Sequence, residues 1–133
     1  MKLIIAGSRG ITNYYFVARL LNKEVLPLNI SEVVCGMADG VDTCGWLWAK
    51  HKGIPIKEMP AKWQDLDVPG AIVKQNKKGV FYNVLAGKMR NLEMLKYADK
   101  AYIFWDGKSP GTKHTIEEAE KMNKLLKYYV FEI

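Results

Sequence analysis

Three short turns in this chain combine glycine with polar side chains. They are Gly7-Ser8-Arg9-Gly10, Gly36-Met37-Ala38-Asp39-Gly40 and Gly107-Lys108-Ser109-Pro110-Gly111. Each follows an apolar run and leads towards an amphipathic segment. Glycine lets the backbone approach a ligand closely and adopt positive φ. A following helix offers unpaired N–H groups and the positive end of its dipole, which together suit a phosphate. Arg9 supplies a guanidinium able to grip a phosphate through two hydrogen bonds, and Ser8 stands beside it. Asp42, just after Gly40, either caps the next helix or accepts a hydrogen bond from a ribose hydroxyl. Thr112, just after Gly111, either caps its helix or donates to a phosphate oxygen. Trp105 ends an apolar run, where its ring can stack on a base; Trp63 reads as core or rim packing. Arg90 and Asn91 lie early in a helix whose apolar positions are Met89 and Leu92, so by spacing alone Arg90 points away from the core.

None of the turns is a complete dinucleotide fingerprint or a P-loop. The first lacks the third glycine, and Lys108 before Ser109 lacks the upstream glycine spacing of a Walker loop. ATP hydrolysis is not supported.

These turns must be held by an alternation of strands and helices. Apolar runs predict strands at Lys2–Ala6, Glu32–Cys35, Ile54–Met59, Lys100–Trp105 and Lys127–Ile133. Helical spacing predicts helices over Tyr14–Leu26 (Val17, Leu20 and Leu21 inward), Val41–Lys52 (Val41, Cys44, Leu47 and Trp48 inward), Leu85–Ala98 (Leu85, Met89, Leu92 and Leu95 inward) and Thr112–Leu126. Pro27 and Gly53 act as stops. Residues 60–80 carry no clear period beyond a turn at Pro69-Gly70. The expected fold is a single Rossmann-like α/β domain, a three-layer sandwich around a mainly parallel five-stranded sheet in the order 3-2-1-4-5. The switch point then lies between the first and fourth strands, and ligands in such sheets bind at the carboxyl ends of the strands beside it.

The bulk numbers agree with one globular domain. The chain has 133 residues, 49% hydrophobic and 26% charged, which suits a real core. Its net charge of +6 suits an anionic partner. Lys74, Lys77 and Lys78 form the densest basic cluster and read as solvated surface. The apolar run Met1–Ala6 is too short for a signal peptide or a membrane span, so the expectation is a cytoplasmic protein without membrane contact. Cys35 and Cys44 match no zinc or redox spacing and read as small buried residues. His51 and His114 cannot make a metal site alone; neither metal nor cofactor is expected.

Several blocks, taken in order and spacing, resemble the DUF2493 family, YspA/YpsA-like members of the SLOG superfamily. They are Gly7-Ser8-Arg9, Gly36 to Asp42, Pro60 to Trp63, Ala86 to Met94 and, most specifically, Phe104 to Ile116. The resemblance spans nearly the whole chain. It implies a Rossmann-like fold and nucleotide-related ligands. Relatives include LOG phosphoribohydrolases, sensor domains for NAD-derived signals and the DNA-processing protein DprA; small stand-alone members occur in phages and bacteria. LOG enzymes carry a proline-glycine-glycine loop, then Gly-Thr, then a glutamate three residues on. Here Gly111-Thr112 match, Lys108-Ser109-Pro110 depart, and Thr115 stands in the glutamate's place. Threonine cannot ionise to assist an oxocarbenium ion or activate water. The resemblance also makes Arg90 a counterpart of an arginine in the LOG site.

The leading expectation is therefore binding, sensing or sequestering of a nucleotide-derived, ADP-ribose-like molecule by Gly7, Ser8, Arg9, Gly36, Met37, Ala38, Gly40, Asp42, Arg90, Asn91, Trp105, Gly107, Lys108, Ser109, Gly111 and Thr112. The alternative is an N-glycosidase acting on nucleoside monophosphates through another carboxylate, with Asp42, Asp106 and Glu118 as candidates. DprA-like nucleic-acid binding ranks last, for want of a basic stripe interleaved with aromatic residues. Tyr14, Tyr15, Phe16, Phe81 and Tyr82 offer apolar surface beyond the needs of a small core, so a homo-oligomer, a dimer or higher, is expected.

Overall fold

The computed structural model describes residues 1–132. Its elements are β1 (Lys2–Gly7), α1 (Tyr14–Glu24), a 3-10 turn (Leu26–Leu28), β2 (Glu32–Cys35), α2 (Val41–Lys52), β3 (Ile56–Glu58), β4 (Val73–Gln75), β5 (Phe81–Asn83), α3 (Ala86–Tyr97), β6 (Lys100–Trp105), α4 (Pro110–Lys121) and β7 (Leu125–Val130). The main sheet has five strands in the order β3-β2-β1-β6-β7, and every pairing in it is parallel. This is the expected three-layer, Rossmann-like arrangement, with its switch point between β1 and β6.

β1 sits at the centre because both of its faces are apolar. Leu3 and Ile5 point into one core cluster with Val17, Leu21, Trp48 and Phe104, under α1 and α2. Ile4 and Ala6 point into the other with Met94, Leu95, Ile103 and Ile116, under α3 and α4. The two-residue period of a strand divides one hexapeptide between two cores. Parallel register then carries β1 onto β6 from Leu3↔Lys100 to Gly7↔Phe104, so Gly7 reaches the edge of the sheet level with the end of β6.

Several boundaries differ from the sequence reading. α1 stops at Glu24, and Pro27 lies inside the 3-10 turn that follows. β3 is shorter than Ile54–Met59. α4 begins at Pro110, because proline is preorganised for the first helical position. It ends by Met122, where Asn123 adopts φ 55°. β7 accordingly starts at Leu125, and the predicted end of that strand, Ile133, lies outside the described residues. Leu47 is exposed rather than inward. In α3 the fully buried positions are Ala86, Arg90, Met94 and Leu95, whereas Leu85, Met89 and Leu92 are half-buried.

Residues 60–80, without a clear period in sequence, contribute β4 and the turn of an antiparallel hairpin whose second strand is β5. The side chain of Asn76 closes it by accepting from the N–H groups of Lys78 and Val80, and Gly79 adopts φ 83°. The turn is a side-chain mimic of backbone pairing, which hydrophobic periodicity does not register. Lys74, Lys77 and Lys78 are exposed on it. Tyr15 and Phe81 are open to solvent, at 84% and 54% exposure. Among the described residues no helix is long and apolar enough to cross a membrane.

One polar cluster ties the sheet edge to α1. Glu24 accepts hydrogen bonds from the hydroxyls of Tyr102 and Tyr129 and pairs with Lys127 at 3.0 Å. These donors, the tyrosines first, hold its carboxyl well below the usual range, at about 2. A depressed carboxylate adds stability above its unfolded pKa and loses it as pH falls through the folded one. Glu24→Gln is therefore expected to lower the melting temperature by roughly 3–5 °C at pH 7. The gap from the parent should close between pH 4.5 and about 2. Thermal unfolding of both proteins across pH 2–7 checks this.

Candidate functional site

The site lies where the ends of β1, β2 and β6 meet the starts of α2 and α4. Ser8 joins these pieces. Its N–H continues the sheet by donating to the Phe104 carbonyl at 3.0 Å, and its own carbonyl accepts from Val41 at the start of α2. Its hydroxyl accepts from the Asp106 N–H at 3.0 Å and lies 3.2 Å from the Thr112 hydroxyl. Ser8 is 2% exposed, so these bonds are made away from water, where an unpaired group would be costly.

Two glycines permit this convergence. A Cβ on Gly7 would lie 2.1 Å from the Phe104 carbonyl oxygen, and one on Gly40 would lie 2.5 Å from the Ser8 and Arg9 carbonyl oxygens. Gly40 also has φ 77°, a conformation open to glycine.

A second chain of polar contacts crosses from β2 to α4. Arg90, 9% exposed, donates to the Gly36 carbonyl and to the Asn91 side chain at 2.8 Å. Asn91 donates to the Thr115 hydroxyl at 2.9 Å, and Thr115 donates to the Gly111 carbonyl at 3.0 Å. The helical spacing that turned Arg90 outward is overruled here. The helix buries an arginine because Gly36 and Asn91 satisfy its donors and Asp42 supplies a nearby countercharge.

Asp42 is buried at the second position of α2 and accepts the Ala38 N–H at 3.2 Å. It closes its own loop; the residue before the helix, Gly40, has no side chain to cap it. Burial pushes the Asp42 carboxyl above its usual value, opposed by the Ala38 N–H and by Arg90.

Between these networks opens a cavity of about 370 Å³. Gly7, Arg9, Ala38, Asp42, Arg90, Asn91, Ser109, Gly111, Thr112 and Thr115 line it. No side chain caps α4, and first-turn N–H groups of a helix have no partner within the helix. Three cations, Arg9, Lys88 and Arg90, and one carboxylate, Asp42, are the charged groups in the wall.

The remaining candidates lie off this cavity. Ser8 and Gly40 sit behind it as packing, and Gly36 presents its carbonyl to Arg90. Met37 borders a neighbouring recess. Gly107 and Lys108 are exposed in the β6–α4 turn. Trp105 donates its ring N–H to the Ser109 carbonyl at 3.0 Å and packs against the α3–α4 core. Asp106 is spent on that turn. Its carboxylate accepts from the Ser109 and Lys108 N–H groups at 2.7 and 2.8 Å and is held below its usual pKa by them. Glu118 faces Lys121 and His114. Of the three candidate carboxylates, Asp42 alone is in the wall.

Ala6, Gly10, Trp63, Val84, Gly87, Lys88 and Ile103 also line the wall; none was among the ligand-binding candidates, and Trp63 was read as core or rim packing. Trp105 does not border the cavity, whereas Trp63 does. Gly87 accommodates it, since a Cβ there would stand 3.3 Å from the Trp63 ring. The signal was the pair Gly87-Lys88 at the start of α3, three and two residues ahead of Arg90. Among the described residues no group of three or more His, Cys, Asp or Glu side chains stands close enough to hold a metal ion.

Residues 1–65 match the family model YAcAr, the YspA, cpYpsA-related SLOG family. The matched segment holds Gly7, Arg9, Ala38, Asp42 and Trp63 of the cavity wall. No curated protein and no solved structure matches the chain.

Gly36 separates Asp42 from Arg90. A Cβ there would lie 2.7 Å from the arginine Nη1 and 2.8 Å from the aspartate Oδ2. Gly36→Ala is expected to destabilise the fold by about 1–3 kcal/mol, read as a fall in melting temperature. Gly111→Ala, whose Cβ would meet nothing within 4 Å, is expected to melt with the parent.

Proposed function

From the SLOG-family match over residues 1–65, we propose that this chain binds a nucleotide-derived, ADP-ribose-like ligand in the cavity at the β1/β6 switch point and acts by sensing or sequestering it. The observation that carries this reading is the wall itself. The uncapped first turn of α4 and the cations Arg9 and Lys88 border the same space of about 370 Å³, a size ordinary for a small-molecule site. Open N–H groups, a helix dipole and guanidinium donors are the chemistry that recognises phosphate. Asp42 offers a carboxylate to ribose hydroxyls, and Trp63 offers an apolar wall to the rest of the ligand. Gly111 supports the reading independently. Nothing in the fold crowds its Cβ position, so close approach by a ligand is the demand that glycine would meet there.

Isothermal titration against AMP, ADP, ADP-ribose and cyclic ADP-ribose is the test. Binding to at least one is expected. Arg9→Ala should weaken it roughly 10- to 100-fold, the worth of a charge-assisted hydrogen bond, and Gly111→Ala should weaken it without lowering the melting temperature. No heat from any of these compounds at millimolar concentration overturns the proposal.

Asp42 favours a second reading, hydrolysis of an N-glycosidic bond. It is the carboxylate in the wall, and its burial raises its pKa, as a general base needs. In this reaction water adds to the ribose C1′, Asp42 takes the water's proton, and the base departs with the bonding electrons. Release of free base from nucleoside monophosphates, followed by chromatography, is its readout. The rate should fall as pH drops through the raised pKa, because the ionised form does the work, and Asp42→Asn should abolish release. Intact ligand after prolonged incubation rules hydrolysis out and leaves the binding role standing.

A further inference from the structure

A second recess, of about 200 Å³, adjoins the cavity. Ala38 and Asp42 belong to both walls. The other residues around it are Cys35, Met37, Thr43 and Trp46.

Its polar atoms are largely spoken for. The Thr43 hydroxyl donates to the Ala38 carbonyl at 3.0 Å, and the Cys35 thiol donates to the Asp42 carbonyl. Burial pushes that thiol up to about 12, so it stays neutral and unreactive. What remains to meet a ligand is the Met37 thioether and the Trp46 ring. Trp46 is fixed from outside: its ring N–H donates to Glu58 at 2.9 Å, and the Lys50 ammonium stands 5.3 Å from the ring centre. Met37 has φ 62° and is 43% exposed. That backbone conformation is unfavourable for an L-residue, and methionine is a soft, adaptable surface for a flat ring.

We infer that this recess receives the nucleobase of the ligand, resting on the nucleotide reading above. The order of surfaces matches the order of groups in a nucleotide. The apolar recess of Met37 and Trp46 leads past the Asp42 carboxylate to the cationic cavity with the α4 N-terminus. Base, ribose and phosphate follow one another in the same sequence. The recess suits an uncharged planar ring, since no cation is among its lining residues. Trp46 and Met37 thereby become specificity determinants, with Thr43 and Ala38 shaping the floor.

The test compares ribose 5-phosphate with AMP, GMP, CMP and UMP by titration calorimetry on the full chain. At least one nucleotide is expected to bind roughly tenfold or more tightly than ribose 5-phosphate, the gain typical of stacking one base on an aromatic ring. Trp46→Ala should erase most of that gap, and Trp46→Phe, which keeps a ring and its packing, should restore it. Equal affinities for ribose 5-phosphate and all four nucleotides overturn the inference while the phosphate reading stands. So does a gap that survives Trp46→Ala, or a proportional loss of both ligands in that variant. Absence of binding by all five compounds overturns both readings together.

Discussion

The buried hydroxyl and backbone of Ser8 are the constraint on which the site depends. One residue continues the sheet onto β6, receives the start of α2 and contacts the start of α4. Parallel strands bring their carboxyl ends to one edge of the sheet but leave the loops free to splay. A satisfied, water-excluded hydrogen-bond centre draws three of them together, and leaving any of its polar atoms unpaired would be penalised. The glycines follow from this closeness. Gly7 and Gly40 are small because backbone of β6 and of the β1–α1 loop, respectively, occupies the place of their Cβ atoms.

Another part of the wall is held by a different device. Arg90, Asn91 and Thr115 link the β2 loop to α4 through buried polar bonds, and Asp42 faces Arg90 across Gly36. Removing one partner from such a network strands the others, so its members act as a unit. The resulting cavity carries guanidinium groups, a helix N-terminus and a single carboxylate in its wall. The segment of residues 60–85 closes this cavity from the side through Trp63 and Val84. The Trp63 carbonyl accepts the Asn83 N–H at 2.8 Å, and the Asn83 side chain in turn accepts from Ile72 and Leu85, so the hairpin is tied to the rim it serves.

Much of this was legible in the residues. β2, α2 and β6 fall where apolar runs and stop signals put them, because a strand buried on both faces and a helix ended by Gly53 leave strong local marks. The expected doubly wound strand order is the one observed. Local pattern failed where a tertiary partner changed the rule. Arg90 is inward because Gly36 and Asn91 accept its N–H groups. Thr112 pairs with Ser8 rather than with its own helix. The β4–β5 hairpin rests on the Asn76 side chain, which no hydrophobic period records.

The amino-acid order by itself determined the α/β alternation, the central strand and the three glycine turns at strand ends, since each rests on short-range sterics and two-fold or 3.6-fold periodicity. Which residues of those turns border the cavity, which carboxylate stands in its wall and which tryptophan closes its rim were decided only by tertiary packing. Asp106, Glu118 and Asp42 are chemically alike in sequence. The first is consumed by its own turn, the second by neighbours on α4, and the third is driven into the wall by the packing of α2 on β1. That distinction depends on contacts between residues far apart along the chain, and no local rule of chain geometry contains it.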